Sequence, residues 1–368
     1  MLKVMTVLGT RPEIIKLSRV IPELDKHFEH VLVHTGQNND PRLKDVFFGE
    51  HGVRQPDELL LPNTTVAPAQ FVGMALAAMH DVLNKHEPDA LLILGDTNSC
   101  VAAAYAAKRR KIPIFHMEAG NRCFDQRTPE EINRKIVDHL SDINLVYTEH
   151  ARRNLLAEGV KPDTIIKTGS PMGEVLTHYS DVIEESRVHT RFGVRPDEYY
   201  VVSCHREENV DDRRRLLELV NAVNALAVRH PVIFSVHPRT RQRLDAAKFV
   251  FVTNVRLTKP LGFIDYARLQ KYAACVISDS GTLTEEASLL GFPAVMARRS
   301  HERPEGMDES VTVMSDLDGL LPAVEIAART SRFFHVRDYD APNVSGKVAR
   351  IIASYTGFVN RTVWHATA

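Results

Sequence analysis

Short apolar runs rich in valine, isoleucine and leucine alternate along this chain with longer amphipathic stretches, and that alternation leaves few folds open. KVMTVLGT precedes PEIIKLSRVIPELDKH, HVLVHTG precedes a polar loop, and ALLILGDT precedes NSCVAAAYAAKRR, with IPIFHMEAG and INLVYTE following. Strand-like runs separated by helical ones predict a parallel sheet covered by helices. The first series ends with TIIKTGSP near Pro171, and a second begins at YYVVSCHRE, followed by RRRLLELVNAVNALAVRH, PVIFSVHP, VRLTKP, AACVISDS and FPAVMAR. The expected class is therefore α/β, with one half over residues 1–170 and another over 171–345. A final amphipathic stretch predicts a helix over 346–368, long enough to reach back to the first half. A chain of 368 residues suits two such domains. In open α/β sheets ligands bind beyond the carboxyl ends of the strands, so a cleft between the two halves is the expected site.

Lysine and arginine number 46 against 47 aspartates and glutamates. That balance gives no electrostatic case for nucleic acid or an anionic membrane as partner. Any bound anion must be caught locally. The four cysteines, at 100, 123, 204 and 275, have no CxxC spacing, so they read as free thiols rather than a zinc or redox motif. No segment approaches a membrane span, and the apolar run at the N-terminus is short for a signal peptide. The expected location is the cytoplasm.

Five polar clusters fall at the ends of strand-like runs. In the first, Thr10 and Glu13 have capping-box spacing with Pro12 in the first helical turn. This is a well-made helix start, and with Arg11 beside it also a ready anion site. Asp96 in the second closes LLIL, where an aspartate can cap a helix or serve as a catalytic carboxylate. The third runs from Glu118 to TPEEINRK. Thr128 and Glu131 again have capping-box spacing, which leaves Glu130 to point elsewhere or to pair with Arg134. Carboxylates held near one another split their pKa values, as acid–base work requires. The fourth is the run from Ser203 to Asn209 around His205, with His237 at the next strand end. In the fifth, Ser278-Asp279-Ser280-Gly281-Thr282 leads into a helix carrying Glu286. A small polar turn before a helix offers backbone N–H groups to a phosphate. It matches neither the Walker A nor the GxGxxG pattern. Arg303, in HERPEG, lies on a loop able to reach the same phosphates.

Taken in order, GTRPEIIK, HTGQ, GDT, EAGNR, PEEINRK, HREEN, VHPRT, DSGTLTEE and ERPEG resemble the non-hydrolysing UDP-N-acetylglucosamine 2-epimerases from residue 9 to 306. The resemblance implies a GT-B architecture of two Rossmann-like domains, a homodimer and a UDP-sugar substrate, with no metal or redox cofactor. It implies that UDP is eliminated from a UDP-2-acetamido sugar and re-added after reprotonation on the opposite face of C2. By this likeness Asp96, Glu118, Glu130 and His205 are the catalytic positions. Arg11, Ser280, Gly281, Thr282, Glu286 and Arg303 match UDP-binding positions, with Lys16 and His237 as second contributors. A UDP-sugar glycosyltransferase, a hydrolysing 2-epimerase and a non-enzymatic UDP-sugar binder are the competing readings.

Three departures stand out. Thr282 replaces the second glycine of the family's DSGG, which predicts a looser backbone approach there. Asn38 and residues 39–48 replace the histidine and downstream methionine of a second, regulatory UDP-sugar site, so that site is not expected. The loop GNRCFDQRTPEE is short, like that of the branch forming UDP-N-acetyl-L-fucosamine from UDP-2-acetamido-2,6-dideoxy-L-talose. Its Cys123, Phe124 and Gln126 are where a missing 6-hydroxyl would be read.

Overall fold

The computed structural model describes residues 1–38, 52–62, 64, 66–330 and 334–366. The family's regulatory segment, expected to be altered at 39–48, lies outside them. The chain divides into two compact units, Met1–Val175 with Asp338–Ala368, and Leu176–Arg337.

The first unit holds a sheet of seven parallel strands: β1 (Lys3–Leu8), β2 (Glu29–His34), β3 (Glu58–Leu59), β4 (Ala90–Leu94), β5 (Ile114–Ala119), β6 (Ile143–Val146) and β7 (Ile165–Lys167). They lie in the order β3-β2-β1-β4-β5-β6-β7. The apolar runs of the sequence are these strands, and they are near-continuously hydrophobic because helices cover both faces of a parallel sheet. Met5, Val7, Leu91, Ile93 and Ile114 pack with Met79, Leu83, Ala103 and Ala107 from two helices, Pro68–His86 and Asn98–Arg109. The alanines of the second let it lie close to the sheet.

The second unit repeats the pattern with β8 (Tyr200–Ser203), β9 (Val232–Ser235), β10 (Val255–Thr258), β11 (Cys275–Ser278), β12 (Ala294–Ala297) and β13 (Val313–Ser315), in the order β10-β9-β8-β11-β12-β13. In each unit the first strand lies beside the fourth, so the chain reverses its winding between β1 and β4 and between β8 and β11. Such switch points are where doubly wound sheets bind ligands.

The last helix spans Val344–Thr362, not 346–368. Asn343 sets its start: at φ 52° it leaves the helical path, and its Oδ1 accepts from the Gly346 N–H at 3.2 Å. This helix packs on Val20–His27 within the first unit. Among the described residues no helix is long and apolar enough to cross a membrane.

Candidate active site

The first unit gathers its polar side chains at the ends of β1, β4 and β5. After β1 the helix Arg11–Leu17 starts at Thr10, as its capping-box spacing predicts, and Arg11, half-buried, is its first residue. Glu13 does more than cap. Its Oε2 accepts from the N–H groups of Gly9 (2.9 Å) and Thr10 (2.7 Å) and from the Thr10 hydroxyl (2.8 Å). Its Oε1 accepts from Thr97 at 3.1 Å, on the turn after β4. Burial, only partly offset by these neutral donors, pushes this carboxyl up to about 7.

Asp96 follows β4. Its Oδ2 accepts from Nε and Nη2 of Arg134, both at 2.8 Å, and Asn133 donates to its carbonyl at 2.9 Å. Arg134 also holds Glu131 at 3.1 Å. The ion pair at helical spacing that the sequence suggested for Arg134, with Glu130, thus gives way to partners at Asp96 and Glu131. The second capping box fails as well. Thr128 ends up as the N-cap of Pro129–Leu140 without a side-chain cap bond. The Glu131 carboxylate instead accepts from the backbone N–H groups of Cys123 and Phe124, each at 3.0 Å, because the short preceding loop folds over it. Glu130, half-buried, lies next to it in the first turn of that helix.

Glu118 sits near the end of β5 with φ 65°, where register against β6 shifts between Met117 and Ala119. A left-handed glutamate costs on the order of 1–3 kcal/mol. The bulge re-aims its carboxylate onto the ammonium of Lys16 (2.5 Å), and Tyr147 donates to the same oxygen at 3.4 Å. Lys16 is 3% exposed and lies 5.6 Å from the Tyr147 ring centroid. Lys16, by the family resemblance a second contributor to UDP binding, has its ammonium on Glu118.

The second unit builds its cluster around Asp279, directly after β11. The buried carboxylate accepts from the backbone N–H groups of His205 (2.9 Å to Oδ2) and Arg206 (2.9 Å), and from Asn209 at 3.1 Å. His205 Nδ1 lies 3.1 Å from Oδ1. Burial raises the Asp279 carboxyl, but His205 and the converging donors outweigh it and hold the group below the usual range. The His205 ring leans on His237, with centroids 5.2 Å apart. His237 caps Pro238–Ala247, its Nδ1 accepting from the Arg239 N–H at 3.3 Å.

Beyond Asp279 the turn is tight. A Cβ on Gly281 would come within 2.0 Å of Glu302 Oε1. Ser280 and Thr282 join hydroxyls at 3.0 Å. Thr282 has φ −72°, an ordinary right-handed conformation, so the backbone at this position makes no demand for glycine. Arg303 is buried and donates Nε–H to the Gly281 carbonyl at 2.9 Å, with Nη2 on Glu285 at 2.9 Å. Glu302 is held by Arg298 at 2.8 Å. Glu286, in the first turn of Leu283–Leu290, accepts from Gln270 at 2.6 Å.

The sequence marks both clusters, and Glu13 by its capping-box spacing, but gives no role to His116, Asp138, Asp279 or Glu302, all buried. Asp279 and His116 carry a signal, polar residues in or directly after apolar strands. Asp138 and Glu302 sit on a helix and a loop where nothing local marks them. Among the described residues no three His, Cys, Asp or Glu side chains are grouped to hold a metal ion.

A sequence profile of the UDP-N-acetylglucosamine 2-epimerase family matches residues 22–354. The UDP-N-acetylglucosamine 2-epimerase of Methanocaldococcus jannaschii is 33% identical over 343 residues, covering 90% of this chain and 93% of its own. A UDP-2,3-diacetamido-2,3-dideoxy-D-glucuronate 2-epimerase from Pseudomonas aeruginosa is 32% identical over 363 residues, 96% of this chain and 99% of its own. Among solved structures, a UDP-N-acetylglucosamine 2-epimerase from Rickettsia bellii matches with TM-score 0.90 at 47% identity over the whole of both chains. The Methanocaldococcus jannaschii UDP-GlcNAc 2-epimerase, in complex with UDP-GlcNAc and UDP, matches with TM-score 0.90 at 32% identity, covering 96% of this chain and all of its own. The fold is the α/β, GT-B class expected from the sequence.

Proposed function

The chain belongs to the non-hydrolysing UDP-N-acetylglucosamine 2-epimerase family and is an isomerase, and from that premise we propose that it inverts C2 of a UDP-2-acetamido sugar. The observation that carries this reading is the pairing of strand-end carboxylates with cations: Asp96 with Arg134 after β4, and Glu118 with Lys16 on β5.

A C2 proton of such a sugar is not activated by a carbonyl, so its removal must be coupled to departure of UDP. The base takes the proton, the C2–H electron pair becomes the C1–C2 double bond, and the C1–O pair leaves with the diphosphate. Return of UDP to C1 with a proton delivered to the opposite face of C2 gives the other epimer. That sequence needs proton-carrying groups and a fixed positive field for the leaving group. Asp96, Glu118 and Glu130 carry the proton in this reading, with Lys16 balancing the charge of Glu118. Arg11, the Ser280-Gly281-Thr282 turn and Arg303 hold UDP, Glu286 meets its ribose, and His237 supports His205. With Nδ1 of His205 turned to Asp279, its Nε2 is the nitrogen presented to substrate.

The finer choice of sugar turns, in this reading, on the loop pinned by Glu131. It fixes Cys123 and leaves Phe124 73% exposed at φ 55°. We assign it to reading the sugar, with UDP-2-acetamido-2,6-dideoxy-L-talose beside UDP-GlcNAc as candidate substrate. Grafting a longer loop here should change the preference between them; an unchanged preference would remove this assignment. A homodimer is supported by Met74, Tyr105, Ile132 and Ile136, exposed on three successively packed helices, and light scattering at several concentrations tests it. The place proposed for the reaction is the cytoplasm, as a precursor step for cell-surface polysaccharide.

Proton NMR in deuterated water, with each sugar and no acceptor, tests the reaction. Deuterium at C2 together with a second UDP-sugar epimer is expected. Free sugar would favour the hydrolysing reading, and an absolute need for an acceptor the glycosyltransferase one.

A further inference from the structure

Glu118 persists in its left-handed conformation only because its surroundings fix it. A group that meets both flanks of Glu118 lies on another element. Asp138, buried on the helix Pro129–Leu140, accepts with both oxygens from the Gly120 N–H, each at 3.2 Å, two residues after Glu118. Its Oδ1 lies 2.9 Å from His116 Nδ1, two residues before Glu118. His116 in turn donates Nε2–H to the carbonyl of Gly95 at 2.8 Å, the residue preceding Asp96. The Gly95 N–H closes the circuit on the Met117 carbonyl at 2.9 Å. Arg122 adds Nη1 to Asp138 Oδ2 at 2.7 Å while its other edge grips Glu158 at 2.8 and 2.6 Å. Burial pushes the Asp138 carboxyl up, but His116 and Arg122 more than offset it and hold it below the usual range.

We propose that Asp138 is a positioning residue of the reaction: it clamps both flanks of the Glu118 bulge and, through His116, sets the Asp96 turn against it. The inference rests on the reading of Glu118 and Asp96 as the groups that move the C2 proton. A carboxylate suits the post because it is acceptor-only and can meet a backbone N–H, an imidazole and a guanidinium together. An amide of the same shape turns an NH2 toward the Gly120 N–H or the Arg122 guanidinium. An Asp138 that served stability alone would lower the melting temperature when changed and leave turnover of the folded enzyme as it was.

The test uses the full chain carrying Asp138→Asn, with kcat, KM, deuterium entry at C2, UDP affinity and thermal midpoint measured together. The expected result is a fall of about 10- to 100-fold in kcat and C2 exchange, the scale of an ångström-sized misplacement. UDP affinity should stay within about twofold, because only transition-state positioning is lost. His116→Gln keeps an amide for the Gly95 carbonyl but gives up the contact with Asp138, and should lower kcat in the same direction by less. It decides the question if Asp138→Asn does not fold: an unchanged kcat in His116→Gln would then overturn the proposal. Wild-type kcat and exchange in both folded variants would also overturn it, as would equal losses of kcat and UDP affinity. Glu118→Gln separates the two layers. If it stays active, the catalytic reading falls and takes the clamp with it. If it is inactive while both clamp variants turn over normally, the clamp alone falls.

Discussion

Both sheets place a buried carboxylate across the switch point, yet the two carboxylates are held in opposite ways. In the first unit Glu13 joins the turn after β1 to Thr97 after β4. In the second, Asp279 after β11 joins the turn after β8 through the N–H groups of His205 and Arg206. The topology and the task are the same. The neighbours differ: Glu13 meets neutral hydroxyl and backbone donors, so burial wins and its carboxyl rises to about 7. Asp279 is buried just as completely but faces His205, and falls below the usual range. Between these two equally buried acids, the imidazole beside Asp279 and its absence beside Glu13 make the difference.

That contrast can be broken directly. Asp279→Asn should cost the most, about 3–5 kcal/mol, because it removes the charge beside His205 and leaves several buried donors with one oxygen. Chemical denaturation checks it, and a loss below that of a surface substitution would end the comparison. Glu13→Gln should behave in the opposite sense with pH. Folded Glu13 keeps its proton up to about 7, whereas the unfolded group loses it near 4.5. The native state therefore binds more protons between those values, and stability from this group falls as pH rises through that window. The wild type should lose up to roughly 3 kcal/mol relative to Glu13→Gln between pH 4.5 and 8, read from denaturation midpoints at each pH. Parallel curves would contradict it.

Gly281→Ala sharpens the role of the second turn. The new Cβ would press on Glu302, itself held by Arg298, so about 1–3 kcal/mol of stability should be lost, with KM for the UDP-sugar raised. Wild-type stability and KM would mean the turn gives way freely. At the small end, Arg127→Ala removes a guanidinium 80% exposed from its pair with Asp125 and should change stability by under about 0.5 kcal/mol. A larger loss would show that exposed pairs near the site matter as the buried ones do.

Much of this was legible in the sequence, and what was not has a common cause. The alternation of apolar and amphipathic runs specifies both sheets, and Pro12 and Pro129 mark helix starts, because those signals are local. Thr10 and Glu13 announce a capping box, but nothing near them tells that the other carboxylate oxygen reaches Thr97, 84 positions away. Lys16 meets Glu118, which lies 102 positions on, and no local spacing announces that pair. Glu131 has capping spacing from Thr128, yet the loop at Cys123 and Phe124 offers two N–H groups that take its carboxylate instead. Each gap is a competition between a local partner and a distant one, settled only by tertiary packing.

In the proposed reaction the labour is divided: the carboxylates of the first unit transfer the proton and the Gly281–Arg303 turn of the second grips UDP. The most direct measurement is UDP binding by calorimetry beside C2 deuterium exchange, on Glu118→Gln and Arg303→Ala in parallel. Glu118→Gln should lose exchange by about 10²–10⁴-fold with UDP affinity kept, and Arg303→Ala should lose UDP affinity. Exchange surviving in Glu118→Gln, or UDP affinity surviving in Arg303→Ala, would contradict it.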